Sequence, residues 1–268
     1  MAARELRLGG IPVLMYHGIA ASVPADVDAR ERKYLVPAAS FRRQLVQIRL
    51  VRHRAVRLDD LWAGRKGGGA ADSAVVLTFD DGRASDYEAA FPVLVRARAR
   101  AEFFVNTATI GQPGYLTWSQ VAEMERAGMS FQSHGHDHVV LLGLPPQLLD
   151  RQLRTSKRVL EDRLGRAVDF LAAPYGLLDR RIVAAALEAG YRAVCNSWSW
   201  PARPGHHTVN RVAIHGHTSE CQFAAVLLRR PAGYLPGLAR TALGFLPKRV
   251  LLKVRPRRLV VELLAEGA

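Results

Sequence analysis

The chain has 268 residues, 49% of them apolar, enough for one large α/β domain with a substantial core. Its 38 Lys and Arg against 24 Asp and Glu give a formal net charge of +14; that favours anionic surroundings, but no nucleic-acid recognition pattern accompanies it and nucleic acid is not an expected partner. The only cysteines, Cys195 and Cys221, lie outside any CxxC spacing, which excludes a disulfide framework and a thiolate zinc site.

The start, "MAARELRLGGIPVLMYHG", carries Glu5 and no apolar run of signal-peptide length. No later stretch reaches about eighteen consecutive apolar residues. The expectation is a cytoplasmic protein, at most peripheral on the cytoplasmic membrane face. The first strand-like run, "IPVLMY" (11–16), ends at His17. Apolar residues at three- and four-residue spacing then predict a helix over 40–51, and "GRKGGGA" (64–70) reads as a surface loop. "AVVLTF" (74–79) is a second strand, with Asp80 and Asp81 at its end. A helix over 86–100, a strand over 102–107, a helix over 117–128 opened by a Thr117–Gln120 capping box, and a strand over 129–133 follow. "SHGHDH" (133–138) comes next, then helices over 145–165 and 179–190 and strands over 167–173 and 191–197. Gly128, Gly165 and Gly190 stand where helices stop. This βαβα rhythm predicts a parallel sheet, either open and doubly wound or closed as a barrel.

From Arg229 the composition changes, with nine basic residues, four prolines and no acid before Glu262. We divide the chain into a domain over 1–228 and a basic C-terminal extension over 229–268. Apolar residues interleaved with Arg and Lys suit either an anionic membrane surface or helices packed on the domain with Arg facing water.

In parallel α/β folds the functional groups gather at the carboxyl ends of the strands, which directs attention to His17, Asp80 and Asp81, "SHGHDH" and "APYG" (173–176). Adjacent Asp80 and Asp81 cannot both point the same way on an extended chain, so one can ligate a metal while the other faces a reacting water. His134 and His138 approach within roughly 6 Å between Cα atoms on a helical turn, against roughly 13 Å on a strand. Only the turn lets both bind one ion, which leaves His136 on the other side. With Asp81 they complete a two-His-one-carboxylate set having open positions, as catalytic metal sites do. Zinc suits these ligands, and other divalent ions fit too.

The ordered series "VLMYHGI", "LTFDDG", "SHGHDH" and "APYG" resembles the polysaccharide deacetylase family, the NodB-homology domain of carbohydrate esterase family 4, over about residues 11–215. That resemblance implies an irregular (β/α)7 barrel. It implies Asp80 as base, a divalent metal, with zinc expected, on Asp81, His134 and His138, and Pro174 with Tyr175 at the substrate and oxyanion. The sequence departs from the usual family pattern at Gly135, where Ser or Thr braces the loop, and at Ala172, where an Arg orients the base. Asp-x-x-Asp-Trp and a late Leu-x-His are absent. A branch resembling circularly permuted poly-N-acetylglucosamine deacetylases has an early "YH" and an Ala at that Arg position, which implies His17 as general acid. The expected activity is metal-dependent removal of N-acetyl groups from aminosugars of a polysaccharide or glycan precursor. Hydrolysis of a non-sugar C–N amide, or a non-catalytic carbohydrate-binding relative, are the rival readings. Tyr115, Trp118, Trp198 and Trp200 could stack on sugar rings.

Overall fold

The computed structural model describes residues 6–21, 32–62 and 73–239. The 64–70 loop and residues 240–268 of the basic extension, with the membrane contact expected of it, lie outside the described residues. In chain order the elements are β1 (Val13–Tyr16), β2 (Gly18–Ala20), β3 (Leu35–Pro37), α1 (Ala38–Leu50), β4 (Arg54–Val56), α2 (Leu58–Trp62), β5 (Ala74–Asp81), α3 (Phe91–Ala97), β6 (Glu102–Val105), α4 (Trp118–Arg126), β7 (Ser130–Ser133), α5 (Pro146–Leu164), β8 (Phe170–Ala172), α6 (Arg180–Glu188), β9 (Ala193–Cys195), β10 (Thr208–Val209), β11 (Val212–Ala213) and α7 (Glu220–Leu227). Residues 231–239 are helical, and within them Tyr234 is fully buried, its hydroxyl donating to Val226 O at 2.8 Å. No helix among the described residues is long and apolar enough to cross a membrane.

The main sheet runs β10-β9-β8-β7-β6-β5-β1-β11, with β4 beside the start of β5, and every pairing is parallel. Its two edge strands are separated in sequence only by Asn210 and Arg211. Those residues can bridge at most roughly 11 Å between the flanking Cα atoms, whereas eight strands laid flat would hold their edges roughly 34 Å apart. The sheet therefore has to curl into a barrel. The fold class is the expected irregular α/β barrel, with nine strands in the sheet rather than seven. The extra strands are only two or three residues long, too short to leave a periodic trace in the sequence.

Strand alternation divides the core into two. Outward-facing Tyr16, Phe79, Phe103 and Phe131 stand in register on β1, β5, β6 and β7, and their rings stack at 5.2, 4.8 and 5.4 Å beneath the helices. Inward-facing Val13, Val76, Phe104, Phe170, Ala172, Ala193, Cys195 and Val209 fill the barrel, and Leu58, Leu61 and Trp62 of α2 close one end of it. Both cysteines are free thiols, Cys195 buried and Cys221 exposed.

The helices lie where the periodicity puts them, and α4 carries the Thr117–Gln120 capping box. The segment expected as one helix over 86–100 is two pieces. A π-helical turn spans Asp86–Ala90, and α3 then starts at Phe91 with Pro92 in its first turn, where a missing N–H leaves no bond unmade. A small parallel ribbon, β2 with β3 in register Gly18↔Leu35, lies beside the barrel.

Candidate active site

Three carboxyl strand ends converge at the mouth opposite α2. Inside the barrel, β5 points Val76 and Asp80 inward, and Leu77 and Phe79 outward. Regular alternation would send Asp81 outward too. Its φ of +78° turns the carboxylate back over the mouth, and Gly82, at φ +67° with Val105 too close for a Cβ, completes the turn. Asp81 Oδ1 then lies 3.5 Å from His134 Nε2 and 3.3 Å from His138 Nε2.

His134 continues β7 and is buried, while His138 closes the following loop at φ +55°. The two imidazoles meet at 5.0 Å between ring centroids. The expected helical turn is not what unites them. Residues 134–138 form an irregular loop in which Gly135 and His138 are left-handed, and this shortens the path as a helical turn would. Gly135 costs the loop no brace either, contrary to its reading as a lost hydrogen bond. Gln152 Oε1 of α5 accepts from the backbone N–H of both His136 and Asp137, and Ser133 Oγ accepts from Gly135 N–H. His136 faces away and hydrogen-bonds Thr107 Oγ1 through Nδ1 at 2.7 Å.

Asp81, His134 and His138 present one ligand atom each, all within 4.8 Å of one another. His134 Nδ1 lies 2.9 Å from Ala172 O, an atom that only accepts, so Nδ1 carries the proton and Nε2 offers a lone pair toward Asp81. Lone pairs and a carboxylate aimed at one point repel unless a proton or cation lies between them. Burial alone would raise Asp81, yet the His134 and His138 contacts draw it well below the usual carboxylate range. Burial alone would lower His134, yet Asp80 and Asp81 raise it. Both directions say that this point favours positive charge, and the donor set fits a divalent cation.

Asp80 is 2% exposed and meets Arg211, 1% exposed, through two bonds: Nη1 donates to Oδ1 at 2.6 Å and Nη2 to Oδ2 at 2.8 Å. Burial would raise Asp80, but the Arg211 charge, with His134 and these bonds, holds it below its ordinary value. Arg211 also donates to Thr78 Oγ1 and to Asn196 O. Sequence reasoning missed this residue. It had noted that Ala172 removes the usual guanidinium, and a buried aspartate still requires one; "NRV" at the barrel closure supplies it from the far end of the sequence.

His17 follows β1 and is half-buried, with Nδ1 out of solvent and unpartnered among the described residues. Burial pushes its pKa down, against the opposing pull of Asp81 and Asp80. Pro174 is buried, and the Tyr175 ring lies 5.1 Å from that of His138 on a backbone at φ +60°. Thus three non-glycine residues of this mouth, Asp81, His138 and Tyr175, hold left-handed conformations, a concentration of strain found where geometry serves chemistry. Asp86 is fully buried, and burial, with Asp81 and Asp80 nearby, pushes it well above its ordinary value against the opposing pull of Arg83. Of the aromatic residues considered for sugar stacking, Trp118 and Trp200 pack on the core, Tyr115 bridges Arg83, and Trp198 is exposed.

The family model described as polysaccharide deacetylase matches residues 67–194. The chain is 29% identical over 159 residues to the Bacillus subtilis protein YxkH, covering 59% of this chain and 57% of that one. It is 26% identical over 162 residues to the poly-beta-1,6-N-acetyl-D-glucosamine N-deacetylase of Staphylococcus epidermidis, covering 55% and 56%. The matches thus span little more than half the length of these relatives. Among solved structures, Streptococcus pyogenes deacetylase PplD in complex with acetate is similar at a TM-score of 0.72 and 26% identity, over 84% of this chain and 99% of that one. IcaB from Ammonifex degensii is similar at 0.71 and 26%, over 85% and 99%.

Proposed function

We propose that this chain is a member of the polysaccharide deacetylase family, whose model matches residues 67–194, and that it hydrolyses the N-acetyl groups of aminosugars in a polysaccharide or glycan precursor, releasing acetate and leaving a free amine. The observation that carries this reading is the pairing of two unlike sites at adjacent residues: a cation-favouring cluster on Asp81 and an ionised, Arg-clamped carboxylate on Asp80. Binding alone would need the first and not the second. The acetate seen with PplD and the substrate named for the staphylococcal relative support the choice of an acetylated glycan.

Asp81, His134 and His138 would hold the divalent cation, zinc being our choice for two imidazoles and a carboxylate. When bound, it polarises water and the amide carbonyl. Asp80, kept ionised and oriented by Arg211, accepts a proton from the attacking water as its oxygen adds to the carbonyl carbon. The left-handed turn at Pro174 and Tyr175 presents backbone to the developing oxyanion. His17 gives a proton to the nitrogen as the C–N bond breaks, because an amide anion is too poor a leaving group to depart unaided. Burial lowers the pKa of His17, which makes its protonated form a stronger acid, and Asp81 and Asp80 oppose that shift.

The test is acetate release from an N-acetylglucosamine oligomer by the protein as purified, after chelation, and after Zn²⁺ is restored. We expect release that follows the metal. Asp81→Ala should lose both metal and activity. His17→Ala should retain metal and lose about 10²- to 10⁴-fold in rate. Equal metal loss in the two variants would move His17 from acid to ligand, and no release with metal bound would turn the reading toward a different amide.

A further inference from the structure

His17 is an unusual candidate for a proton donor, because the described residues do not provide the contact that normally orients a functional imidazole. Catalytic histidines are generally held by a hydrogen bond from the second ring nitrogen to a carboxylate or carbonyl. His17 Nδ1 is buried, and no hydrogen bond reaches it among the described residues. An imidazole that must meet a departing nitrogen at one angle needs some other constraint.

The ribbon beside the barrel supplies one. In β2 and β3, Gly18 pairs with Leu35, so the residues just before them, His17 and Tyr34, are neighbours on parallel chains. Their ring centroids lie 4.7 Å apart at a 43° tilt. Tyr34 is itself held on its other sides. The His215 ring lies 5.3 Å away, and Lys33 Nζ stands 4.7 Å from the Tyr34 centroid. The backbone is pinned as well: Gly216 N–H donates to Lys33 O at 3.0 Å, and a Cβ at Gly216 would come within 2.5 Å of Leu35 O. The loop after β11 thus clasps the segment bearing Tyr34, and that segment closes on His17.

We propose that Tyr34 is a positioning residue for the reaction. Its ring face, rather than its hydroxyl, fixes the plane of His17 so that the proton is delivered to the leaving nitrogen. This rests on the reading of His17 as general acid. Aromatic contact at such distances is geometrically selective while leaving both ring nitrogens open. It also gives the β2–β3 ribbon, which adds no strand to the barrel, a purpose in the site.

A pair of substrates separates this from a structural role. Release of acetate from an N-acetylglucosamine oligomer needs the acid, whereas hydrolysis of 4-nitrophenyl acetate does not, because nitrophenolate departs as a stable anion. We expect Tyr34→Ala to lower kcat on the oligomer by about 10- to 100-fold, with KM, metal content and the ester rate nearly as in the unaltered protein. Tyr34→Phe should recover the oligomer rate to within about threefold. Equal loss on both substrates, no loss on either, or a Phe variant as impaired as the Ala variant would overturn the proposal. Unaltered protein that cleaves the ester and never the oligomer would instead sink the deacetylase reading, and this proposal with it.

Discussion

The two ends of the barrel are built on opposite terms. At the mouth, three non-glycine residues are left-handed, two imidazoles face a carboxylate, and an Asp–Arg pair is buried in the interior. At the other end, α2 inserts Leu58, Leu61 and Trp62 among apolar strand residues. Glu102 is the fully buried carboxyl there, near Asp59 and Arg57, and its Oε1 accepts from Leu58 N–H at 2.8 Å at the start of α2. One end stores strain and charge, and the other supplies the packing that permits it. If this division is right, perturbing the mouth should damage chemistry first, and perturbing the plug should damage stability alone.

Arg211 offers the sharpest way to break that contrast, because it belongs to both accounts. Replacing it by Met leaves Asp80 buried without a countercharge, which costs about 3–5 kcal/mol for a broken buried pair. Asp80 then escapes the penalty by taking up a proton, and a protonated carboxyl cannot act as a base. We expect acetate release to fall by about 10²-fold or more, together with a large drop in Tm. Asp80→Leu combined with Arg211→Met removes both charges. It should recover much of the Tm and none of the activity. A single variant that unfolds no more easily than its parent would show that the pair contributes nothing to holding the mouth.

Arg211 also marks the limit of what could be read before the structure. Asp80, Asp81, His134 and His138 were legible because local spacing at strand ends brings them close; the motif and the geometry are the same few residues. Arg211 lies 131 residues from Asp80 and precedes a strand of two residues. Its placement follows from closure of the sheet, a property of the whole chain that periodicity does not carry. The physical demand for it was nevertheless visible, since Ala172 left a buried Asp80 without its partner. Gly135 misled for a related reason: the lost local brace is replaced by Gln152, from a helix whose long amphipathic pattern gave no hint of a polar inward residue. Tyr34 depended on the β2–β3 register, and three-residue strands set no alternation long enough to detect.

Leu58 tests the other end. It is fully buried and touches the interior cluster from the first turn of α2. Leu58→Ala should cost about 2–5 kcal/mol through lost burial and a residual cavity, seen as a lower denaturation midpoint. Activity per folded molecule, measured well below the new Tm, should hold. A fall in kcat as large as the fall in stability would mean that the plug transmits to the mouth, and that the two ends are not separable.

Glu102 gives the smallest effect and the finest distinction. Its pKa is raised above 4.5, chiefly by burial, against the opposing pull of Ser130 and the Leu58 N–H. In the unfolded chain the same carboxyl ionises at its ordinary value. Between the two values the unfolded state releases its proton more readily, so Glu102 withdraws stability as pH rises from about 4.5 toward the raised value, and withdraws none below. Gln keeps the oxygen that accepts from Leu58 and abolishes the titration. Glu102→Gln should therefore match its parent in Tm at low pH and exceed it by a growing margin toward neutrality. A loss of Tm that instead grows as pH rises would mean that ionised Glu102 stabilises the start of α2, as a carboxylate does beside helix N–H groups. The plug would then be charged, like the mouth it supports, and the contrast between the two ends would rest on strain alone.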